Sequence, residues 1–252
     1  LELHFDEFET YEGRRNTRPL SIAVMIESNT RLLVSAVAAP IRPRGKMTDA
    51  RRAAIEAEDA TLGPRVDRSR LACRLAFRRA ARLQPRGSKI LLQTDVKSTY
   101  PGYAREAFGP RLSTHRQTSS VLTRDESNPL FPINHTEAVL RDLTGRLRRE
   151  SWLVSKLRTY LNLHLGLYSA WRNWVRPRFN RDEESPGELI GLAFRLIPAR
   201  HRLADQPVNV LPHGNIAGGV FGGPAVGKKL ETGKAGRAAD EINVGVAVVF
   251  NH

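Results

Sequence analysis

The sequence predicts an α/β fold in which a mixed sheet is flanked by helices. Short apolar runs rich in β-branched residues indicate strands, and longer segments rich in Ala, Arg and Glu indicate helices. The two kinds of segment follow one another over residues 1–180. With 40% hydrophobic and 26% charged residues, the chain of 252 residues has enough apolar material for one substantial core.

Three strands are predicted at the start of the chain. Residues 3–9 alternate weakly between apolar and polar side chains, a pattern typical of a strand. Residues 20–27 and 32–39 are apolar runs separated by Ser28-Asn29-Thr30, which predicts a hairpin.

Helices and strands alternate after residue 40. The predicted elements are two helices over residues 48–83 broken at Leu62-Gly63-Pro64, a strand over 89–94, a short helix over 98–108 and a strand over 111–116. A loop with two prolines follows at residues 128–132, and a long helical region is expected over 135–179 with breaks near Gly145 and Gly166. The order of these elements is that of a ribonuclease-H-like α/β domain.

Three segments are expected along the chain. Residues 1–180 form the ribonuclease-H-like domain, and residues 181–206 form a linker or helical extension. Residues 207–252 form a tail that holds nine of the 19 Gly residues and shows no long helical period. We expect this tail to be disordered or loosely packed, because glycine raises the entropic cost of ordering a chain.

The charge balance favours an anionic partner. The chain has 40 Lys and Arg against 26 Asp and Glu, a net charge of +14, and a pI near 10.8. Such a balance is typical of proteins that bind nucleic acid or an anionic membrane. No apolar run approaches the roughly 20 residues of a membrane span, so nucleic acid is the expected partner.

The ends and the cysteine content add two expectations. The single Cys73 excludes an intrachain disulfide and a cysteine-based zinc site, which favours a reducing intracellular compartment. The chain begins at Leu1 rather than Met, and we expect an upstream domain to precede it.

Three acidic residues are the candidate catalytic site. Asp6 interrupts an apolar strand, Asp95 ends the fourth predicted strand, and Glu137 lies near the start of a helical segment. Open α/β sheets bind ligands at the carboxyl edge of their strands. Carboxylates that meet there suit magnesium, and a pair of such ions can catalyse phosphodiester chemistry. The alternative is that each is an ordinary surface acid, as acids usually are.

Basic residues are expected around these acids. At helical spacing, Glu137, Arg141, Thr144 and Arg148 share one stripe, which we expect to be exposed, and Leu140, Leu143 and Leu147 share another. The first stripe either follows a DNA backbone or is a solvated face with an intrahelical salt bridge. The residues predicted to contact DNA are Lys97, Arg141, Arg148, Arg149 and Lys156.

Two further features leave alternatives open. His135 lies two residues before Glu137, so it either contacts phosphate or packs at the start of a helix. Trp171 and Trp174 lie beside Arg172 and Arg176. Stacking on an unpaired base is one interpretation, and burial in the core is the favoured one.

Four segments carry a family resemblance. They are FDEFETYEGRRNTRPL, APIRPRGK, LLQTDVKSTYP and NPLFPINHTEAVLRDLTGRLRRESWLVSK. Over roughly residues 3–180 the chain resembles the catalytic region of bacterial insertion-sequence transposases of the DDE class. The shared pattern is Asp-Glu on the first strand, Thr-Asp on the fourth, and Asn-His-x-Glu before a basic helix.

The resemblance implies a function and a site. It implies a ribonuclease-H-like fold, a site for two Mg²⁺ (or Mn²⁺) ions, strand cleavage by water and joining by a DNA 3′-hydroxyl. Asp6, Asp95 and Glu137 would be the catalytic and metal-binding residues. The partners would be transposon ends and target DNA, bound by a homo-oligomer near the nucleoid in the bacterial cytoplasm.

Two departures from the family pattern leave other functions open. Such transposases usually carry an upstream DNA-binding module, and the Gly-rich end of this chain does not resemble a family element. The alternatives are an inactivated or domesticated derivative that binds DNA without cutting it, and a ribonuclease-H-like nuclease. Base-specific recognition would belong to the upstream module.

Overall fold

A mixed sheet of five strands organises the computed structural model, which describes residues 1–83, 87–119, 121–123, 125–148 and 153–191. The strands are β1 (Glu2–Tyr11), β2 (Pro19–Glu27), β3 (Leu33–Pro40), β4 (Ile90–Asp95) and β5 (Leu112–Thr118). Their spatial order is β3-β2-β1-β4-β5. Strand β2 is antiparallel to β1 and β3, whereas β4 is parallel to β1 and β5.

The turn between β2 and β3 is organised by one carboxylate. The two oxygens of Glu27 accept hydrogen bonds from the backbone N–H groups of Asn29 (3.1 Å) and Thr30 (2.7 Å). Arg31 then adopts a positive φ of 63°, a conformation that L-residues other than Gly, Asn and Asp rarely take. The turn therefore holds Arg31 in a defined position at the end of the sheet.

Helices cover both faces of the sheet. They are α1 (Asp49–Leu62), α2 (Ser69–Leu83), α3 (Tyr100–Phe108), α4 (Phe131–Leu143), α5 (Arg158–Trp174) and the short α6 (Pro186–Leu189). Helices α2 and α3 pack on one face, and α4 and α5 pack on the other. Helix α1 buries none of its residues, so it adds nothing to either core. Among the described helices, none has the length and apolar character that crossing a membrane requires.

Two hydrophobic cores lie on the two sides of the sheet. The first core, under α2 and α3, contains Leu3 and Phe5 of β1, and the ring of Phe5 lies 4.7 Å from Phe77 and 4.9 Å from Tyr100. The second core, under α4 and α5, contains Phe8 of β1 and Ile133 of α4. Alternate side chains of a strand point to opposite faces, so β1 supplies both cores.

The predicted fold class is confirmed as a mixed α/β sheet flanked by helices. All five predicted strands form, with boundaries shifted by one or two residues. The hairpin of β2 and β3 and the break between α1 and α2 are also present.

The region after residue 128 differs from its prediction. Helix α4 begins at Phe131, inside the predicted loop, because Pro132 is tolerated in the first turn of a helix. The predicted break at Gly145 is present, but α5 continues through Gly166 without interruption. Glycine within a helix costs about 1 kcal/mol, and the burial of Leu161 and Leu165 on α5 outweighs that cost. The tail over 207–252 and most of the 181–206 segment lie outside the described residues.

Candidate functional site

The pairing of β1 with β4 places Asp6 beside Asp95. Phe5 and Thr94 are register partners in these parallel strands, so the next residues, Asp6 and Asp95, follow on neighbouring strands. Adjacent strands lie about 4.8 Å apart. The two aspartates thus lie at the same level of the sheet, and Asp95 is the last residue of β4.

Both aspartates are on the face that carries α4. Asp6 is the direct partner of Val24, which belongs to the second core. His4 pairs with Gln93 on β4 and with Ile26 of the second core on β2. Paired residues share a face, and residues two apart in a strand share it too. Asp95, two residues after Gln93, is therefore on the same face as Asp6.

Glu137 approaches this face from α4. Its side chain is buried, at 5% exposure. It shares the helical stripe of Ile133 and Leu140, both fully buried in the second core. Residues spaced by three and four lie on one side of a helix, so Glu137 is on the side of α4 that packs on the sheet.

The direction of α4 across the sheet follows from two contacts. The guanidinium of Arg141 lies 4.2 Å from the ring centroid of Phe8. At the other end of α4, His135 packs against Phe179, which also contacts Arg31 beyond the start of β1. Helix α4 therefore runs in the direction of β1. Glu137 lies one helical turn before Arg141, but Asp6, Asp95 and Glu137, all of them described residues, are not grouped closely enough to hold one metal ion.

The burial of Glu137 corrects the prediction for its helix face. We expected Glu137, Arg141, Thr144 and Arg148 to form an exposed stripe. Instead Glu137 and Thr144 are buried, and Leu143 is 42% exposed. The helix ends at Leu143, so the predicted stripe does not continue as far as Arg148. Leucines lie on both sides of this segment, so its pattern does not determine which side is buried.

Asp95 combines burial with a missing partner. Its Oδ1 atom is buried and has no hydrogen-bond partner among the described residues. The pKa of Asp95 is raised above its ordinary value, first because burial disfavours the charged carboxylate; Lys97 opposes this shift and Glu7 adds to it. A buried carboxylate oxygen without a donor is costly, and a bound cation would satisfy it.

Asp6 and Asp95 suit magnesium as a pair of carboxylate ligands, without a complete set of protein ligands around the ion. Within the part of the chain that the structure describes, no three His, Cys, Asp or Glu side chains are grouped to hold one metal ion. Magnesium needs only one or two protein carboxylates, because it retains waters and takes phosphate oxygens of the substrate. Two aspartates at one level of one face, one with an unsatisfied oxygen, fit this requirement.

A second acidic residue of β1 was missed in the sequence. Glu7 lies on the opposite face from Asp6 and forms an ion pair with Lys97. It also accepts hydrogen bonds from the hydroxyls of Tyr100 (2.7 Å) and Ser21 (2.8 Å). Burial raises the pKa of Glu7, but the hydrogen bonds from Lys97 and Tyr100 outweigh this and lower it overall. The available signal was its spacing, because Glu7 continues the alternation of Leu3 and Phe5 into the first core.

The residues predicted to contact DNA have different surroundings in the structure. Lys97 is paired with Glu7 rather than directed at the acid face. The guanidinium of Arg148 donates to the backbone carbonyl of Asp142 at 2.8 and 3.0 Å, and the side chain is exposed. Arg141 lies over Phe8, and Lys156 is exposed. Arg149 lies outside the described residues. DNA contact by these residues stays a prediction.

The face beside Asp95 is open toward β5. Helices α4 and α5 cover β1, β2 and β3 through the second core, which includes no residue of β4 or β5. A cavity of about 500 Å³ lies over these two strands, and its walls include Gln93, Arg116 and Thr118. An extended strand of a polymer could therefore reach Asp95 along this side of the sheet.

A second, more basic cavity lies at the start of α4. It has a volume of about 520 Å³ and is lined by residues of α4 and of the segment after α5. His135 packs between Phe131 (5.8 Å) and Phe179 (6.1 Å) at its wall, which agrees with the packing interpretation.

Trp171 is 40% exposed, so its predicted burial in the core is wrong. Comparison of the chain with protein families, with curated proteins and with solved structures gave no match.

Proposed function

We propose that the chain is the catalytic domain of a DDE-class DNA transposase with a ribonuclease-H-like fold. The strand order β3-β2-β1-β4-β5, with antiparallel β1 to β3 and parallel β1, β4 and β5, supports this fold. The observation that supports the proposal is that Asp6 and Asp95 follow a register pair of the neighbouring strands β1 and β4, while Glu137 is on the side of α4 that packs on the sheet. Asp6 and Asp95, far apart in sequence, become neighbours only through this topology.

The acids would hold the metal ions that such chemistry requires. Asp6 and Asp95 would bind Mg²⁺ or Mn²⁺, with Glu137 completing the site from α4. The bound metal would activate the attacking water or DNA 3′-hydroxyl and stabilise the leaving oxygen.

The remaining residues would bind and position DNA. The open part of the sheet over β4 and β5 offers a path for a strand, with Gln93 and Arg116 along it. Arg141, Arg148 and Lys156 would contact phosphates, which the net charge of +14 favours over the whole chain. The partners would be transposon ends and target DNA, and the acting form would be a homo-oligomer in the bacterial cytoplasm.

A magnesium-dependent nicking and strand-transfer assay tests this function. The substrate is a supercoiled plasmid carrying the ends of the insertion element. We expect the chain to nick it with Mg²⁺ or Mn²⁺ and not in EDTA. Asp95→Asn should reduce nicking to the background level while retaining DNA binding.

The matched control is Asp49→Asn, which makes the same chemical change at a fully exposed aspartate in α1. It should nick like the original chain. Lack of nicking by the original chain, or equal nicking by Asp95→Asn, would contradict the proposed activity.

The second candidate is a derivative of the same fold that binds DNA without cutting it. The net charge of +14 would serve this function equally well, because DNA binding through phosphate contacts needs no catalytic metal. DNA binding without metal-dependent nicking would support it. Cleavage of RNA–DNA hybrids or branched DNA without strand transfer would instead indicate a related nuclease.

A further inference from the structure

The lining of the basic cavity includes none of the candidate catalytic acids. His135, Thr136 and Val139 of α4 form one wall, and residues 176–182 form most of the other. Glu137, which packs toward the sheet, is not part of the lining. The charged residues of the lining are Arg172, Arg176, Arg178, Arg181 and Asp182.

Two of the arginines build the cavity. The Nε atom of Arg178 donates to Asp182 at 2.7 Å, and its Nη1 atom donates to the carbonyl of Asn29 at 3.2 Å. Arg172 is buried, and its two terminal nitrogens donate to the carbonyls of Pro177 (3.2 Å) and Arg178 (2.9 Å). These bonds hold the segment after α5 in place, and Asp182 is already neutralised by Arg178.

The other two arginines have no acidic partner among the residues that the structure describes. Arg176 lies 5.3 Å from the ring centroid of Trp171, and Arg181 is exposed. Neither forms an ion pair with any residue that the structure describes. An arginine pair held beside a concave surface suits phosphate, because the planar guanidinium donates hydrogen bonds to its oxygens.

The electrostatic potential around the cavity is positive, as the surroundings of Arg31 indicate. Arg31 lies over the ring of Phe179, and its buried Nε atom has no partner among the described residues. Burial lowers the pKa of Arg31, and the neighbouring charges of Arg178 and Arg172 lower it further, while Glu27 and Glu2 oppose the shift. An anion in the cavity would relieve this repulsion among cations.

The size of the cavity indicates more than a lone phosphate. A volume of about 520 Å³ is within the range of roughly 300–1,000 Å³ that holds small organic ligands. Val139 and Phe179 add apolar surface beside the arginines. The cavity thus offers cationic donors for a phosphate and an apolar wall for the sugar attached to it.

We propose that this cavity binds a backbone phosphate and its sugar from a DNA strand, at a position separate from Asp6, Asp95 and Glu137. Arg176 and Arg181 hold the phosphate, while Arg172 and Arg178 fix the shape of the site. The contact positions the strand without recognising its bases. It rests on the proposed function only in taking DNA as the partner, since it requires no cleavage.

Charge-matched double variants of the full chain test the site. The pocket variant is Arg176→Gln with Arg181→Gln. The control is Arg70→Gln with Arg105→Gln, which removes two exposed arginines from α2 and α3, on the other side of the sheet. DNA affinity is measured in EDTA by fluorescence anisotropy of a labelled duplex over a series of salt concentrations.

The pocket variant should bind about tenfold more weakly, since each lost charge-assisted hydrogen bond weakens binding. Its slope of log affinity against log salt should fall by about 1 to 2, as expected for one or two lost phosphate contacts. The control should change affinity less than threefold. Equal losses in both variants, or no loss in the pocket variant, would overturn the proposal.

Three further measurements guard the test against misfolding and against other ligands. Arg181→Glu changes an exposed side chain, so it should keep the melting temperature and still weaken DNA binding. Normal binding by this folded variant would overturn the site. Inorganic phosphate is also tested as a competitor. If it displaces labelled DNA at the same concentration as an unlabelled strand does, DNA is not the specific occupant of the cavity. Equal affinity for abasic and normal strands would support contact through phosphate and sugar, whereas strong dependence on the base would contradict it.

Failure of the site and failure of the enzymatic function are distinguishable. If the chain binds DNA through the cavity but does not nick it, the proposed phosphate site is supported and the transposase function is contradicted. If the pocket variant nicks normally and binds DNA with unchanged affinity, the enzymatic function is retained and the proposed phosphate site is contradicted.

Discussion

Glu7 and Lys97 form an ion pair between the two strands that carry the candidate catalytic aspartates. Glu7 directly follows Asp6 in β1, and Lys97 comes two residues after Asp95 at the end of β4. The side chain of Glu7 is 9% exposed and that of Lys97 is 38% exposed. The pair therefore ties the end of β4 to β1 from the face opposite to the aspartates.

Removing the charge of Glu7 should destabilise the protein through Lys97. Glu7→Gln leaves the Lys97 ammonium without its carboxylate, at a cost of about 1–3 kcal/mol in the free energy of unfolding. The partial exposure of Lys97 favours the lower part of this range. Urea unfolding measures the change.

Two comparisons isolate the contribution of the pair. Glu9→Gln alters an exposed residue of the same strand and should stay within about 0.5 kcal/mol of the original stability. In a double-mutant cycle with Lys97→Gln, a coupling energy near zero would show that the ion pair does not stabilise the fold.

The same pair should affect acid stability. The folded-state pKa of Glu7 is below its ordinary value of 4.5. Ionised Glu7 thus contributes stability that is complete above about pH 4.5 and is lost as the pH falls through the lower folded-state value. The stability difference between the original chain and Glu7→Gln should shrink over that range. A difference that stays constant down to about pH 2 would contradict this assignment.

Asp95→Asn should stabilise the metal-free protein at neutral pH. The pKa of Asp95 is raised above 3.8, so its deprotonation costs stability as the pH rises from 3.8 through the folded-state value. The amide avoids that cost. Each 1 kcal/mol gained would raise the melting temperature by about 2–4 °C.

Magnesium should reverse the order of the melting temperatures, so that the original chain becomes more stable than Asp95→Asn. A cation that binds to the Asp95 carboxylate stabilises the folded state relative to the unfolded state. Asp95→Asn lacks this carboxylate, so Mg²⁺ should raise the melting temperature of the original chain more than that of the variant. Calorimetry with and without Mg²⁺ measures both effects. An equal response of the two proteins to Mg²⁺ would exclude Asp95 as a ligand.

Gly187→Ala should destabilise the segment that follows α5. A Cβ atom at this position would overlap Cε3 and Cζ3 of Trp174 and lie 2.9 Å from the carbonyl of Asn173. Overpacking of this kind costs about 1–3 kcal/mol. Chemical denaturation followed by tryptophan fluorescence would report both the loss and the displacement of Trp174.

The matched substitution is Gly102→Ala in α3, where an added Cβ meets no atom within 4 Å. This change should stabilise the protein by up to about 1 kcal/mol, because alanine favours a helix over glycine. If both alanine variants gave the same stability, the contact between Gly187 and Trp174 would not be important.

Periodicity along the chain was sufficient to predict the strands and most of the helices. Alternation in residues 3–9 and the apolar runs of the next two strands predicted β1 to β3, since a side-chain period of two is a local property. The same alternation placed Asp6 on a strand, and the polar end of an apolar run placed Asp95 at the edge of the sheet. These inferences needed no knowledge of distant residues.

Only the tertiary structure decided which faces meet. Glu7 pairs with Lys97, about 90 positions further along the chain. Glu137 is buried because it shares the side of α4 on which Ile133 and Leu140 enter the second core. The basic cavity joins His135 to residues 172–182, which no sequence period connects. The sequence by itself determined the elements and the chemical types of the candidate site, because these follow from local patterns. Packing determined which side chains share a face, because burial depends on contacts between segments far apart in the chain.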